Sequence, residues 1–478
     1  MRTDRLALAA LASFVMSACT THSIRDDRAR VARLVTERVE VELPDEEPQD
    51  WAQDDDVVEG LLGSTLDASA AVRIAILNNR TLRAQLYELG IPRAELVQAG
   101  LLPNPSVHAE VRLPEDQLEP EQWDFGISID LTEVILAPLR ADAASARLEA
   151  ARLRTAGAVV DLAFDARRAF YRYQASLQRL ELFRTSMAAF EASITVARQL
   201  HAAGNLRDLD LAVHEAAWEQ YRIEVAQAEL ESLDARERLN VVLGLFGQDT
   251  SWEAETRLPT PSEEAIDVER LEPRAIEASL ELAWLRAEID ATARRAGVAR
   301  AEGLIPDIEV GFHAEFDGDR WEYGPELQIG IPVFSQGQGR VLAAEAQLDG
   351  LRERYVGYAI AIRASVRAAR NRALTTELIA RRYREVLLPA RARVFDSMLL
   401  QYNAMQVDVF RLLSSRREQI EASAAYVDAL LMYWEARTTL EQVLAGRLAG
   451  TISSPDAGAG AMTTRGAGMS TGGSDGGH

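Results

Sequence analysis

Side chains able to do chemistry are few in this sequence, and their placement argues for electrostatics rather than catalysis. The six histidines are scattered without metal-ligand spacing. No catalytic motif stands out, so the sequence gives neither an enzyme nor a metal centre. Gly337-Gln338-Gly339 could pass for a phosphate loop, but it lacks the Lys-Ser/Thr ending, and a strand-to-helix turn explains it. What remains is one cysteine, Cys19, and two sets of acids. Glu110, Asp124, Asp130, Glu309, Glu315 and Glu326 fall at alternating positions in short segments. Repeated around an axis, they would form rings of negative potential that favour cations; the same acids would also serve to keep a lumen wet. Asp208, Asp210 and Asp408 follow two tight turns. They fit an acidic constriction at the end of a tunnel, and equally fit helix N-terminal carboxylates that complement the dipole.

The whole chain bounds these readings. It has 478 residues, 47% of them hydrophobic, and a net charge of −22, which argues against nucleic-acid binding. Arg2 and Arg5 lead the apolar run Leu6–Met16, which is too short to span a bilayer and reads as a signal-peptide core over residues 1–18. Met16-Ser17-Ala18-Cys19 resembles the lipobox of bacterial lipoproteins. That resemblance implies a covalent lipid on Cys19, and Thr20 after it implies an outer-membrane address. An unmodified cysteine within a cleaved peptide is the plainer alternative.

Four segments position the first set of acids: Ser106–Leu113, Trp123–Leu131, Ile308–Phe316 and Tyr323–Ile331. Each alternates strictly. In the second, Trp123, Phe125, Ile127 and Ile129 oppose Asp124, Gly126, Ser128 and Asp130. In the third, Ile308, Val310, Phe312 and Ala314 oppose Glu309, Gly311, His313 and Glu315. Period two predicts strands, and ~9–11 residues is the length a tilted strand needs to cross a bilayer. The charged face should see water and the apolar face lipid. The same alternation also fits two amphipathic hairpins of a soluble α+β domain.

The rest of the chain is helical. Residues 19–65 read as an acidic extended arm, with Pro44 and Pro48 inside it. A helix is predicted over Asp67–Ala99, ended by Gly100, Pro103 and Pro105. After the first hairpin, Pro138 suits the first turn of a helix running to Ala203. Gly204-Asn205 breaks it, and a return helix covers Asp208–Leu243. Residues 251–267 form a linker. The second half, 268–446, repeats the first, 66–250: a helix over Val268–Glu302, a hairpin, a long helix over Gln338–Tyr402 and a return helix over Gln406–Leu444. Leu82-Arg83-Ala84-Gln85 before Gly100-Leu101-Leu102-Pro103 recurs as Leu285-Arg286-Ala287-Glu288 before Gly303-Leu304-Ile305-Pro306. Asn205 and Asp210 recur as Asn403 and Asp408, although Gln401-Tyr402-Asn403 lacks the glycine seen at Gly204. A period of about 200 residues excludes a solenoid of short repeats. Residues 447–478 read as a Gly/Ser tail.

Each long helix would reach ~100 Å, antiparallel to two shorter helices stacked end to end. Val159, Ala163, Ala166, Phe170, Tyr173, Leu177 and Leu180 follow four-three spacing. Phe183, Met187, Phe190, Ile194 and Ala197 resume it after a phase slip, as in a coiled-coil seam with one discontinuity. Four strands cannot close a barrel, and open edges in lipid cost several kcal/mol per unpaired group. Copies must pool strands, and three copies give twelve, enough for a lumen.

With these features, Leu66–Gly446 resembles the TolC-like outer-membrane efflux proteins. The words that carry the resemblance are Ala71-Val72-Arg73-Ile74-Ala75-Ile76-Leu77-Asn78-Asn79, Ala99-Gly100-Leu101-Leu102-Pro103-Asn104-Pro105 and Ile331-Pro332-Val333-Phe334-Ser335-Gln336-Gly337-Gln338-Gly339-Arg340. The resemblance implies a mainly α protein with a transmembrane β part. As a homotrimer it would form a twelve-stranded β-barrel in outer-membrane lipid and a twelve-helix α-barrel tunnel. It further implies an exit duct of a tripartite efflux or secretion system, passively conducting substrate from an inner-membrane pump through a periplasmic adaptor (a membrane fusion protein). Adaptor contact would fall at Gly204, Asn205, Asn403 and Ala404. A periplasmic coiled-coil adaptor or scaffold lipoprotein is the alternative.

Overall fold

The computed structural model describes residues 25–39, 51–113, 121–261, 269–317 and 320–448. The signal segment with Cys19, the acidic stretch 40–50, the loop 114–120, residues 262–268, Gly318-Asp319 and the tail beyond Leu448 lie outside the described residues.

The first described elements correct the expectation of an extended arm. Residues Arg25–Val39 form helix α1 and Trp51–Leu62 form α2. In α1 the spacing of four between Val31, Val35 and Val39 buries all three side chains. Their heavily charged surroundings hide this apolar stripe in the sequence. Asp27, fully buried, binds Arg93 Nη2 at 2.5 Å and Arg152 Nε at 2.9 Å, which pins α1 to the body.

The helix expected over Asp67–Ala99 is three: α3 (Ala68–Asn78), α4 (Arg80–Glu88) and α5 (Gly90–Gly100). Asp67 caps α3 by accepting from Ala70 N at 2.7 Å, as its type predicts. The break at Asn79 is built by polar side chains. Asn79 Oδ1 accepts from Leu82 N at 3.0 Å to restart the helix, while Arg83 donates to the orphan Leu77 carbonyl at 2.7 Å. Strands β1 (Ser106–Arg112) and β2 (Gln122–Asp130) follow.

Helix α6 (Leu131–Ala202) has 72 residues and starts seven positions before Pro138, which therefore lies inside it. The start signal is Asp130, whose carboxylate accepts from Glu133 N at 3.0 Å; Asp130-Leu131-Thr132-Glu133 is a capping pattern that outranks the proline. Helix α7 (Asp208–Leu243) returns alongside α6.

In the second half, the helix expected over Val268–Glu302 is split into α8 (Leu271–Ala278) and α9 (Leu280–Leu304), with Ser279 Oγ accepting from Leu282 N at 3.1 Å. Strands β3 (Asp307–Asp317) and β4 (Trp321–Gly330) lead to α10 (Gln338–Arg382), a π turn at Tyr383–Leu387, α11 (Leu388–Asn403) and the return helix α12 (Val409–Leu444). The π turn sits just before Pro389, whose ring would clash with the carbonyl of residue 385 in a regular helix. Gly337, in the left-handed region, opens α10, so the glycine run is the strand-to-helix turn expected of it.

The helices lie side by side, α6 against α5, α7, α9 and α12, and α10 against α9 and α12. The expected seam is the core: Val159, Ala163, Ala166, Phe170 and Tyr173 are buried in one cluster, and Phe183 and Phe190 in another with Tyr221 and Ile420. Arg167–Glu441 at 2.8 Å and Arg172–Glu435 at 2.6 Å tie the two halves along α6 and α12.

Both halves use one joint where the short helices break. Gly244 ends α7 with a φ of 72°, and a Cβ there would lie 2.6 Å from the Asn78 carbonyl oxygen. Gly446 ends α12 with a φ of 91°, and its Cβ would meet the Ala278 carbonyl at 2.0 Å. A glycine at each place lets two backbones touch. The linker is no free tether in its described part: Trp252 is buried and donates to Asn240 Oδ1 at 2.9 Å, and Trp434 donates to the Pro259 carbonyl at 2.8 Å.

Candidate functional site: a one-sided sheet and two tip turns

The four strands form one antiparallel sheet in the order β1-β2-β3-β4, so β1 and β4 are both open edges. The observed strands differ from the expected ones by a residue or two: Leu113, Leu131 and Ile331 fall outside, and Gln122, Asp307, Asp317, Trp321 and Glu322 fall inside. Thr132 joins the base of the sheet to α6. Its Oγ1 donates to the Pro306 carbonyl at 2.9 Å and accepts from Ile308 N at 2.6 Å.

Along β2 exposure is inverted relative to a water-soluble strand, while β1 and nearly all of β4 are exposed on both faces. Phe125, Ile127, Phe312, Leu327 and Ile329 are exposed, whereas the Asp124 side chain on the opposite face is only 17% accessible. At the end away from the helices, Phe125 and Phe316 lie 6.1 and 5.3 Å from Trp321, an aromatic cluster of the kind that marks a membrane boundary. An apolar band of this size is not left open to water. The soluble-hairpin alternative fails on it.

On the polar face the register lines residues up in rows. Glu110, Asp124, Glu315 and Glu322 stand abreast on β1, β2, β3 and β4. His108, Gly126, His313 and Gly324 form the next row, and Asp130 lies beside Glu309. Like charges directly opposite destabilise a sheet, and here they are partly answered. Arg112 binds Glu110 at 2.9 Å, and Ser128 donates to Glu309. His313 Nδ1 and His108 Nε2 lie 3.2 and 3.6 Å from Asp124 Oδ1. The sheet thus brings Glu110, Asp124 and Glu315 together. Asp130 is engaged as the α6 cap, and Glu326 sits across from Gly311. Sequence reasoning missed Glu322 and the convergence of both histidines on Asp124; only the strand register could have found the latter.

The other set of residues sits at the far end. Gly204, Asn205, Asn403 and Ala404 form two exposed turns. Asp408 caps α12 by accepting from Arg411 N at 2.9 Å. Asp208 meets His201 at 2.8 Å, and Asp210 binds Arg207 at 2.8 Å, which raises the guanidinium pKa through that hydrogen bond and its charge. The repeat aligns differently here than the sequence words suggest. The left-handed residues are Gly204 and Met405, and the residues preceding the return helices are Arg207 and Asp408. Asp210 and Asp408 are therefore not equivalent. His214 stacks on Phe410 at 4.7 Å and joins the two return helices above the turns.

Among the described residues no helix is long and apolar enough to cross a membrane. Long paired helices carrying an amphipathic sheet with two open edges have the form of a stave.

Known proteins share that stave. The family model for "Outer membrane efflux protein" matches residues 71–245. The cobalt-zinc-cadmium resistance protein CzcC of Cupriavidus metallidurans is 24% identical over 385 residues, 79% of this chain and 90% of that protein. Among solved structures, CusC superposes with a TM-score of 0.67 at 15% identity, covering 79% of this chain and 92% of that one. The open state of the Neisseria gonorrhoeae MtrE outer membrane channel gives 0.63 at 16% identity, covering 79% and 88%. The chain is similar to outer membrane efflux proteins over residues 71–245 and shares the fold of the outer membrane channels.

Proposed function

We propose that this protein is the outer-membrane exit duct of a tripartite efflux system, passively conducting what an inner-membrane pump and a periplasmic adaptor deliver. The observation that carries the reading is a sheet with exposed apolar residues and two open edges. In hydrocarbon every backbone group must be paired, so the β1 edge of one copy has to meet the β4 edge of the next. Three copies supply twelve strands and a lumen lined by Glu110, Asp124, Glu315 and Glu326. The helices continue the lumen into the periplasm for ~108 Å, from the length of α6.

In this reading a lipid on Cys19 secures the chain to the inner leaflet of the outer membrane. Gly204, Asn205, Asn403 and Ala404 meet the adaptor, and Asp208, Asp210 and Asp408 narrow the tip. No catalytic step and no cofactor beyond the lipid are needed. The acid-lined wall favours cations, and the similarity to a cobalt-zinc-cadmium resistance protein supports divalent cations as cargo.

The test is assembly and conduction. Extracted from outer membranes, the protein should migrate as a detergent-resistant, heat-modifiable trimer and conduct in planar bilayers. A monodisperse, water-soluble monomer would overturn the reading.

A further inference from the structure

We propose that one copy of this chain joins the next in a fixed strand register, with Ile329, Gln328, Leu327 and Glu326 of β4 directly opposite Val107, His108, Ala109 and Glu110 of the next copy's β1. The inference rests on the exit-duct reading above and follows from the internal duplication. The repeated words Gly100-Leu101-Leu102-Pro103 and Gly303-Leu304-Ile305-Pro306 set Val107 on Val310 and Ala109 on Phe312. Within the hairpins Val107 pairs with Ile127 and Val310 with Leu327, which sets β2 on β4, Ile127 on Leu327 and Ile129 on Ile329. The joint between the two halves is visible inside the chain: Ile129 lies opposite Val310, and Ile127 opposite Phe312. The joint between copies is that same joint made once more, with β4 in place of β2 and the next copy's β1 in place of β3.

The strands and the helices agree with it. Ile329, Leu327 and Pro325 meet Val107, Ala109 and Val111, so the apolar face continues across the junction and the polar face with it. Every residue from Ser106 to Arg112 finds an opposite residue between Gly324 and Gly330. Helix α6 follows β2 and packs on α9, which leads into β3. By the same geometry α10, which follows β4, packs on the next copy's α5, which leads into β1. The flanks this contact would cover are open in a single copy. Helix α9 buries Ala296 in the stretch that matches α5, whereas α5 has no buried residue. Leu342, Val356 and Ile360 of α10 are exposed, as are Leu101 and Leu102 ahead of β1 and Ile331 and Val333 after β4.

Charge opposes this register, which makes it recognisable. Glu326 faces Glu110, and like charges directly opposite destabilise a sheet; Arg112, bound to Glu110 at 2.9 Å, offsets part of this. A slip of two residues would keep both faces and set Glu326 opposite Arg112 instead. It would also move β4 by roughly 7 Å along β1 and carry α10 out of step with α5. Helix packing therefore sets the register, and the strand edges accept an acidic pair at each junction.

The test uses the full-length protein in outer membranes, mildly oxidised and run on denaturing gels. In one copy β1 and β4 are three strand spacings apart, about 14 Å, so a disulfide between them joins two copies. Hydrogen-bonded and non-bonded pairs alternate along antiparallel strands, so one pair from each face is used: Ala109→Cys with Leu327→Cys, and His108→Cys with Gln328→Cys. At least one should give covalent trimer several-fold above the slipped pairs, Val111→Cys with Leu327→Cys and Glu110→Cys with Gln328→Cys, and above the parent with Cys19 alone. Preferred cross-linking of a slipped pair, or no cross-linked trimer from either face, would overturn the register. A second readout needs no cysteine. Glu326→Gln should raise the temperature at which the detergent-resistant trimer dissociates, because it relieves the Glu110 contact; an unchanged or lower temperature would overturn the register even if the cysteine variants fail to assemble. A parent that forms the resistant trimer while these results fail sinks the register alone. A parent that forms no trimer sinks the duct reading itself.

Discussion

Gly204 and Met405 hold the same position in the two tip turns, with φ of 76° and 58°. Each is the left-handed residue after a long helix, and each donates its N–H three residues back, Gly204 to His201 and Met405 to Tyr402, both at 2.9 Å. Left-handed backbone costs a side-chain-bearing residue roughly 1–2 kcal/mol. Met405→Gly should therefore stabilise its turn by about 1 kcal/mol and slow amide exchange at Ala404–Gln406. Gly204→Ala should do the opposite at the first turn. Equal exchange in parent and variants would contradict this account.

The buried Asp27 carboxylate holds Arg93 and Arg152. Removing one partner of a buried ion pair costs about 3–5 kcal/mol because the other charge is left stranded. Asp27→Ala should release α1 while the long helices persist, seen as rapid proteolysis within Arg25–Val39. Unchanged resistance would show that Val31, Val35 and Val39 suffice.

Selectivity follows from the acidic rows. Glu110→Gln, Glu315→Gln and Glu326→Gln together should bring the potassium-to-chloride permeability ratio close to one. A wild-type channel that prefers anions would remove the electrostatic argument altogether.

At the tip, charge can be separated from helix capping. Asparagine caps a helix about as well as aspartate, so Asp408→Asn keeps the hydrogen bond to Arg411, and Asp210→Asn releases Arg207. If these acids narrow the tip, the paired variant should raise single-channel conductance. Unchanged conductance would leave Asp408 as a cap and Asp210 as a local ion pair.

The tip should also respond to pH. Burial lowers the His214 pKa, with Asp210 opposing. Above the usual histidine value of about 6.5 neither the folded nor the unfolded tip carries the proton, and there is no penalty. As pH falls below it, the unfolded tip binds a proton that the folded tip resists, so stability declines down to the lower folded pKa. Amide protection in α7 near His214, corrected for the intrinsic pH dependence of exchange, should fall as pH drops below the usual histidine value, and His214→Phe, which retains the stacking on Phe410, should abolish that fall.

Much of this is legible in the sequence because it rests on period and punctuation. Alternation locates the strands and the wet face, four-three spacing locates the α6 seam, and Gly204 marks the first turn. What is lost follows a physical pattern. The breaks at Asn79 and Ser279 are made by side chains bonding to the next turn, inside segments whose apolar content never falters. Pro138 draws the expected start of α6 away from Asp130, because a proline early in a helix does not reveal which turn it occupies until the cap is known. The tip misalignment comes from matching letters, Asn205 with Asn403, where the backbone matches Gly204 with Met405. The histidine–aspartate convergence needs register between distant strands, which local pattern does not carry.

The open β1 and β4 edges also have a genetic consequence. If closure takes three chains, a copy with one spoiled edge ruins every ring it joins. In a cell making parent and variant equally, random mixing leaves only about one ring in eight free of the variant. Edge mutations should then be dominant, poisoning conduction even beside an intact gene, while mutations that merely stop synthesis should be recessive.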